Sequence, residues 1–258
     1  MSTPEVIVAR DPGELADAIA ARLVTSLVEA QSDGRHAHLC LTGGHIGISC
    51  LAALEAAASR DSIDWPRLHV WWGDDRYVTS TDPDRNELQA RAALLDHVPL
   101  DPAHVHAMPS ADSGLDVDEA AAAYARELQR WARPEDHAEL PSFDVCLLGI
   151  GPDAHVASLF PQLPGVHERE RTVVGVHGSP KPPPLRVSLT LPALQASREV
   201  WLIVAGRDKA DAVRLALSDA GPVQVPGAGA RGRDRTVALL DEAAASSLPP
   251  ELRRLASP

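Results

Sequence analysis

Short apolar runs that stop at glycine-bearing turns, each followed by an Ala/Leu-rich stretch, recur along most of this 258-residue chain. The run at 38–41 stops at Thr42-Gly43-Gly44, and a helical pattern covers about 46–59. The run at 68–72 stops at Gly73-Asp74-Asp75-Arg76, before a helical pattern over roughly 84–95. The run at 143–148 stops at Gly149-Ile150-Gly151-Pro152, and Asp153 and His155 follow where a helix would begin. A further helix is expected over 116–131, ended by Pro134. Weaker strand patterns lie at 173–176 and 186–189. Strand 200–205 precedes a helix over about 209–218, and strand 236–240 precedes one starting at Asp241. Apolar strands alternating with helices are the signature of parallel βαβ units, because crossover helices cover both faces of the sheet. The expected fold is therefore α/β: a Rossmann-like, doubly wound, mostly parallel sheet with helices on both faces. Neither a repeat nor a linker divides the chain, so residues 1–258 are expected to form a single domain. The Pro- and Gly-rich stretches 177–184 and 221–232 read as functional loops, since strand signals resume directly after them.

A formal net charge of −12 disfavours nucleic acid and anionic membranes as partners. An anionic small substrate remains compatible if a few cations converge locally. The opening residues lack a basic segment followed by an apolar core, so no signal peptide is expected, and no apolar run approaches the roughly 20 residues that span a bilayer. Cys40, Cys50 and Cys146 sit in apolar surroundings with no paired spacing, as expected of reduced core residues in a cytoplasmic protein.

Four segments carry candidate chemistry. Gly43 and Gly44 open a strand-to-helix turn whose backbone N–H groups suit an anion or a developing oxyanion, although tight turns also use paired glycines for steric reasons alone. In Trp72-Gly73-Asp74-Asp75-Arg76, Arg76 can meet a substrate phosphate or carboxylate while Asp74 orients a partner; a salt-bridged turn is the plain alternative. Asn86 opens the next helix, as a cap or as a polar ligand contact. His155 is the residue suited to general-base work near neutral pH, with Asp153 placed to hold its tautomer or to receive substrate hydroxyls. Ser158 lacks the Gly-x-Ser-x-Gly elbow of a nucleophilic serine. Lys181, in a proline-stiffened loop, and Arg186, opening a strand, form a candidate phosphate grip with little entropy to lose. The pairs His36/His38 and His104/His106 have no Cys or carboxylate partners at usual metal-site spacings. They are expected to be surface or strand residues, with no metal bound.

In order along nearly the whole chain, these segments resemble the glucosamine-6-phosphate isomerase/6-phosphogluconolactonase family. Leu41-Thr42-Gly43-Gly44 is similar to its Ser-Gly-Gly turn, and Trp72-Gly73-Asp74-Asp75-Arg76-Tyr77-Val78 to its Trp-Gly-Asp-Glu-Arg-x-Val. Asn86 stands where that family has Ser-Asn opening a helix. The segment from Gly149 to Pro161 resembles Gly-x-Gly-Pro-Asp-Gly-His-Thr-Ala-Ser-Leu-Phe-Pro. Lys181-Pro182-Pro183, Arg186 and Thr190-Leu191-Pro192 resemble Lys-Pro-Pro…Arg-Ile-Thr-Leu-Thr, and Gly206 to Ala210 continues in place. The resemblance implies cofactor-free hydrolysis of 6-phospho-D-glucono-1,5-lactone, a phosphorylated sugar lactone, in the second step of the oxidative pentose phosphate pathway. It implies water activation by His155, an oxyanion site near Gly43 and Gly44, and sugar-phosphate contacts from Arg76, Lys181 and Arg186. Asp153 and Asn86 would position hydroxyls or the histidine. A monomer is expected, and a weak association with glucose-6-phosphate dehydrogenase, the preceding enzyme, is left open.

The chain departs from that pattern at Ala154 (usually Gly), Val156 (Thr), Asp75 (Glu), Arg85 (Ser) and His45 (Ser). If position 154 needs positive φ, alanine costs about 1 kcal/mol there. An amino-sugar-phosphate isomerase is the nearest rival, but those enzymes follow the histidine with Ile-Ala-Phe-Asn rather than Val156-Ala157-Ser158-Leu159. A non-catalytic sugar-phosphate sensor is a second rival; such regulators normally carry a DNA-binding domain, and no basic helix-turn-helix segment is visible.

Overall fold

The computed structural model describes residues 3–132 and 139–252. Its elements run β1 (Glu5–Ala9), α1 (Pro12–Gln31), β2 (Ala37–Leu41), α2 (His45–Ala56), β3 (Leu68–Trp72), β4 (Asp74–Arg76), α3 (Asn86–Ala93), α4 (Val117–Trp131) and β5 (Val145–Leu148). They continue with α5 (Pro164–His167), β6 (Val173–Val176), β7 (Arg186–Leu189), α6 (Leu191–Gln195), β8 (Glu199–Val204), α7 (Ala210–Ala216), α8 (Pro226–Gly229) and β9 (Arg235–Asp241). The main sheet has six strands in the order β1-β9-β8-β5-β2-β3, every pair parallel. Right-handed crossovers place α1 and α2, which lead rightward in this order, on one face, and α4 and α7, which lead leftward, on the other. The expected doubly wound fold is present.

Local rules account for the helices. Asp11 caps α1 by accepting from Gly13 and Glu14 N–H, with Pro12 in the first turn, and Leu15, Ile19, Leu23 and Leu27 bury one stripe. Asp116 and Glu119 form a capping box at α4, whose Tyr124 hydroxyl accepts from Trp72 N–H at 3.0 Å and ties helix to sheet. Cys40 and Cys146 face each other in register on β2 and β5, and burial pushes the Cys40 thiol well up. Among the described residues, no helix is long and apolar enough to cross a membrane.

Several expectations need correction. β1 and α1 are absent from the sequence reading, which begins its strands at residue 38. The weak strands at 173–176 and 186–189 do not extend the main sheet; with β4 they form a separate antiparallel sheet of order β4-β7-β6. The helix expected after His155 does not form, because Ala154 and Ala157 hold left-handed backbone with φ of 64° and 49°. Asp241 begins no helix, and only a short 3₁₀ turn, Ala244–Ser247, follows β9. Pro134, the expected stop for α4, lies outside the described residues. Beyond the strand or surface placement expected for the histidine pairs, His36, His38, His104 and His106 gather around His69. Burial, together with the neighbouring imidazoles, pushes His69 down to about 2.

Candidate active site

The chain leaves β2 for β3 on one side and leaves β5 for β8 on the other, so the turns after these adjacent strands diverge. That switch point is where open α/β sheets bind ligands. A cleft of about 450 Å³ opens there, lined by Gly43, Gly44, Asp74, Arg76, Asn86, His155, Lys181 and Arg186 among others. Eight of the nine sequence-derived site residues therefore share one wall system, and the ninth, Asp153, contacts His155.

At the β2 end, Gly44 caps α2, and Gly43, Gly44, His45 and Ile46 at the start of that helix line the cleft. Gly43 has a steric reason to be glycine, because a Cβ there would collide with the Asn86 side chain. Asn86 is not the cap of α3; Arg85 is. Its side chain instead donates to Asp74 O at 2.8 Å and accepts from Arg76 at 2.5 Å, fixing that guanidinium over the cleft. Beneath it, Asp75 accepts from Asn86 N–H at 2.7 Å and Arg76 N–H at 2.8 Å. Burial pushes the Asp75 carboxyl up to about 6, against the pull of Arg85 and these two N–H groups. Arg85, which departs from the serine that the resemblance implies there, turns inward and lies 3.4 Å from Asp75 and 3.1 Å from Glu87.

The histidine sits on a tight loop after β5. Ala154 N–H donates to Gly151 O at 2.8 Å, and Gly151 N–H to His155 O at 3.0 Å. The loop closes on itself so that the imidazole lies over Gly151, where a Cβ would overlap both the ring and Asp153. Asp153 Oδ1 accepts from His155 Nδ1, so Nε2 carries the lone pair. The ring packs on Phe160 at a centroid distance of 4.5 Å. Burial raises the Asp153 carboxyl, but the hydrogen bond from His155 and the positive charge of Lys181 help to outweigh it and hold the group below its usual range. The stretch 221–232, expected as a functional loop, does not line the cleft. It buttresses the histidine loop from behind, Gly227 N–H donating to Ala154 O at 3.0 Å.

Gly151→Ala should thus be far costlier than a surface glycine replacement. We expect at least a tenfold loss of catalytic efficiency and about 1–3 kcal/mol of stability, the usual scale of overpacking. Steady-state kinetics and thermal denaturation of the purified variant check both. By contrast, Ala154→Gly relieves about 1 kcal/mol of left-handed strain but gives back about 0.5–1 kcal/mol as unfolded-chain entropy. Its melting temperature should stay within about 3 °C of the parent.

The opposite wall comes from the small sheet. Arg186 is nearly buried and donates to the carbonyls of Lys181, Pro182 and Pro183 at 3.1, 3.0 and 3.2 Å. It also faces Asp74 at 4.0 Å, and burial lowers its pKa. Much of its bonding capacity therefore shapes the loop that carries Lys181, in place of the open phosphate contact expected from sequence. Asp74 accepts from the Ser158 hydroxyl at 2.6 Å, which assigns Ser158 a buried structural bond. Lys181 is the exposed cation, its Nζ 3.9 Å from Asp153. Lys209, which sequence reading passed over, also lines the cleft, with Nζ donating to Ala205 O at 2.9 Å. Its signal was available: it follows Gly206, at the carboxyl end of β8.

Comparison with known proteins agrees with this geometry. Residues 10–239 match the family model described as glucosamine-6-phosphate isomerases/6-phosphogluconolactonase. The chain is 61% identical over 252 residues to a 6-phosphogluconolactonase from Streptomyces coelicolor, covering 97% of each chain. It is 50% identical over 241 residues to the Mycobacterium tuberculosis 6-phosphogluconolactonase, covering 93% of this chain and 96% of that protein. The solved 6-phosphogluconolactonase from Trypanosoma brucei superposes with a TM-score of 0.80 at 26% identity, over 95% of this chain and 99% of that one. With its motifs placed around one cleft and its length matched almost end to end, the chain belongs to the glucosamine-6-phosphate isomerase/6-phosphogluconolactonase family.

Proposed function

We propose that the chain hydrolyses 6-phospho-D-glucono-1,5-lactone to 6-phosphogluconate, with His155 as general base. The observation that carries this reading is the His155–Asp153 pair facing a cleft whose other walls hold Arg76, Lys181 and Lys209, in a chain of net charge −12. Local cations in an acidic protein support an anionic substrate, and a phosphorylated sugar lactone is one whose carbonyl water can attack.

Asp153 holds Nδ1 protonated, so His155 Nε2 takes a proton from water as the oxygen adds to the lactone carbonyl. The negative charge that develops on the carbonyl oxygen is met by N–H groups at the start of α2, near Gly43 and Gly44. The tetrahedral intermediate then collapses, the ring C–O bond breaks, and the departing alkoxide recovers the proton from His155. Arg76, Lys181 and Lys209 bind the phosphate and sugar oxygens. Three cysteines without a disulfide support a reducing compartment for this chemistry.

The direct test is an assay with freshly generated lactone, corrected for spontaneous opening, run beside an ammonia-release assay with glucosamine 6-phosphate. Lactone turnover without ammonia release is expected; ammonia release alone would overturn the reading. In the same assay Lys181→Ala should raise KM about tenfold or more and change kcat little, because the side chain is exposed and binds ground state and transition state alike. A fall in kcat at constant KM would reassign Lys181 to orienting Asp153.

A further inference from the structure

At the amino end of the main sheet, three segments distant in sequence deliver imidazoles to one place. His36 stands just before β2, His69 is the second residue of β3, and His104 ends the 3₁₀ turn Pro102–His104. One ring nitrogen from each lies within 4.8 Å of the others, and His36 Nδ1 is 3.0 Å from His69 Nε2. Nitrogens bound to zinc at 2.0–2.1 Å stand about 3.3 Å apart in a tetrahedron, so the first pair is already at ligand spacing. The third nitrogen joins them with an inward shift of at most about 1.5 Å, well within a side-chain adjustment.

The hydrogen bonds behind these rings aim their lone pairs. Glu127 accepts from His106 Nδ1–H at 3.1 Å, so His106 Nε2 must accept, and it does so from His69 Nδ1–H at 2.9 Å. His69 keeps its lone pair on Nε2, the atom facing His36. His104 Nδ1–H donates to Pro66 O at 2.9 Å, leaving its lone pair on Nε2. Glu127 is itself held by Arg130 at 3.1 Å and by Trp131 Nε1 at 3.2 Å. His104 thus reaches a carbonyl directly and His69 reaches the Glu127 carboxylate through His106, and acceptors of this kind on the far nitrogen are the outer support that metal-binding histidines carry.

We propose that His36, His69 and His104 bind a divalent cation of borderline softness, Zn²⁺ foremost, with water completing the coordination. Imidazole donors select zinc, copper or nickel over magnesium and calcium. Binding exchanges the His36–His69 hydrogen bond for two coordinate bonds. His36 moves its proton from Nδ1 to Nε2, so both states are neutral and no proton is released. His69 precedes Gly73 by four residues, about 13 Å at the usual strand rise, so the ion joins three chain segments and stays out of the cleft.

The test uses untagged full-length protein stripped with a chelator. Zn²⁺ is titrated by calorimetry, and Co²⁺ serves as a spectroscopic probe of geometry. We expect one Zn²⁺ per chain, a raised Tm, and visible Co²⁺ bands of a four-coordinate site. His36→Ala and His104→Ala should each weaken binding by about 100-fold or more, and His106→Gln by about 10- to 100-fold, the scale of a lost outer support. Circular dichroism confirms that each variant is folded, and His36→Gln and His104→Asn replace either alanine variant that is not. Stoichiometry far below one, or affinity unchanged in the folded variants, overturns the proposal.

Discussion

His155→Ala should lower kcat for lactone hydrolysis by at least 100-fold and leave KM within about threefold, the scale and pattern of a lost general base. The imidazole makes few binding contacts of its own. Its Nδ1 is committed to Asp153, and one edge packs on Phe160. Truncation therefore removes the proton acceptor while Arg76, Lys181 and Lys209 remain to hold the substrate. Asp153→Asn provides the second arm. It keeps the shape of the pair but no longer requires the Nδ1–H tautomer, so kcat should fall at least tenfold with a flatter pH profile. If His155→Ala retains near-parental turnover after correction for spontaneous opening, the base lies elsewhere.

The largest stability effect is expected at Arg186. Arg186→Ala removes the donor to three loop carbonyls and leaves Asp74 buried without its cation. Breaking a buried charge pair from one side typically costs about 3–5 kcal/mol. For a chain of this size that corresponds to a Tm drop of roughly 6–20 °C. Arg186→Lys should recover the charge but not the three-carbonyl grip, so KM stays raised even where Tm partly returns. Asp74→Ala combined with Arg186→Ala should be less destabilised than the two single losses added together, since neither charge is then stranded. Strict additivity would show that the 4.0 Å pair contributes nothing.

Within the main sheet β2, β3, β5 and β8 are legible because each is a buried, mostly apolar run that stops at a glycine-bearing turn, whereas β1 has no such turn and escapes the pattern. The three-residue β4, Asp74-Asp75-Arg76, is not legible either, since its side chains serve ion pairing and it pairs only with a strand more than a hundred residues away. A helix is expected to begin at Asp153 and His155, after the glycine turn, and the segment Ala157-Ser158-Leu159-Phe160 would belong to it. In fact that segment is buried as irregular chain, with Ser158 N–H bonded to Ser188 Oγ at 3.1 Å. The candidate cleft was recovered almost whole, because strand-end turns converge in any doubly wound sheet. The gathering of His36, His69 and His104 depends on contacts between separate segments, which no local pattern encodes, whereas Lys209 carries a local signal in the turn after β8.

The two sheets meet at Gly73, whose carbonyl accepts from Leu189 N–H at 2.8 Å as the chain passes from β3 into β4. One consequence concerns how such an enzyme changes over generations. The loop of the proposed base, His155, grows from the parallel sheet, whereas the loop bearing Lys181 and the arginines around it belong to the antiparallel one. Ser158, on the histidine loop, bonds to Asp74 and Ser188 of the antiparallel sheet, so substitutions there that alter which anionic sugar is held are expected to shift the histidine loop as well, and substrate choice and reaction chemistry are expected to change together.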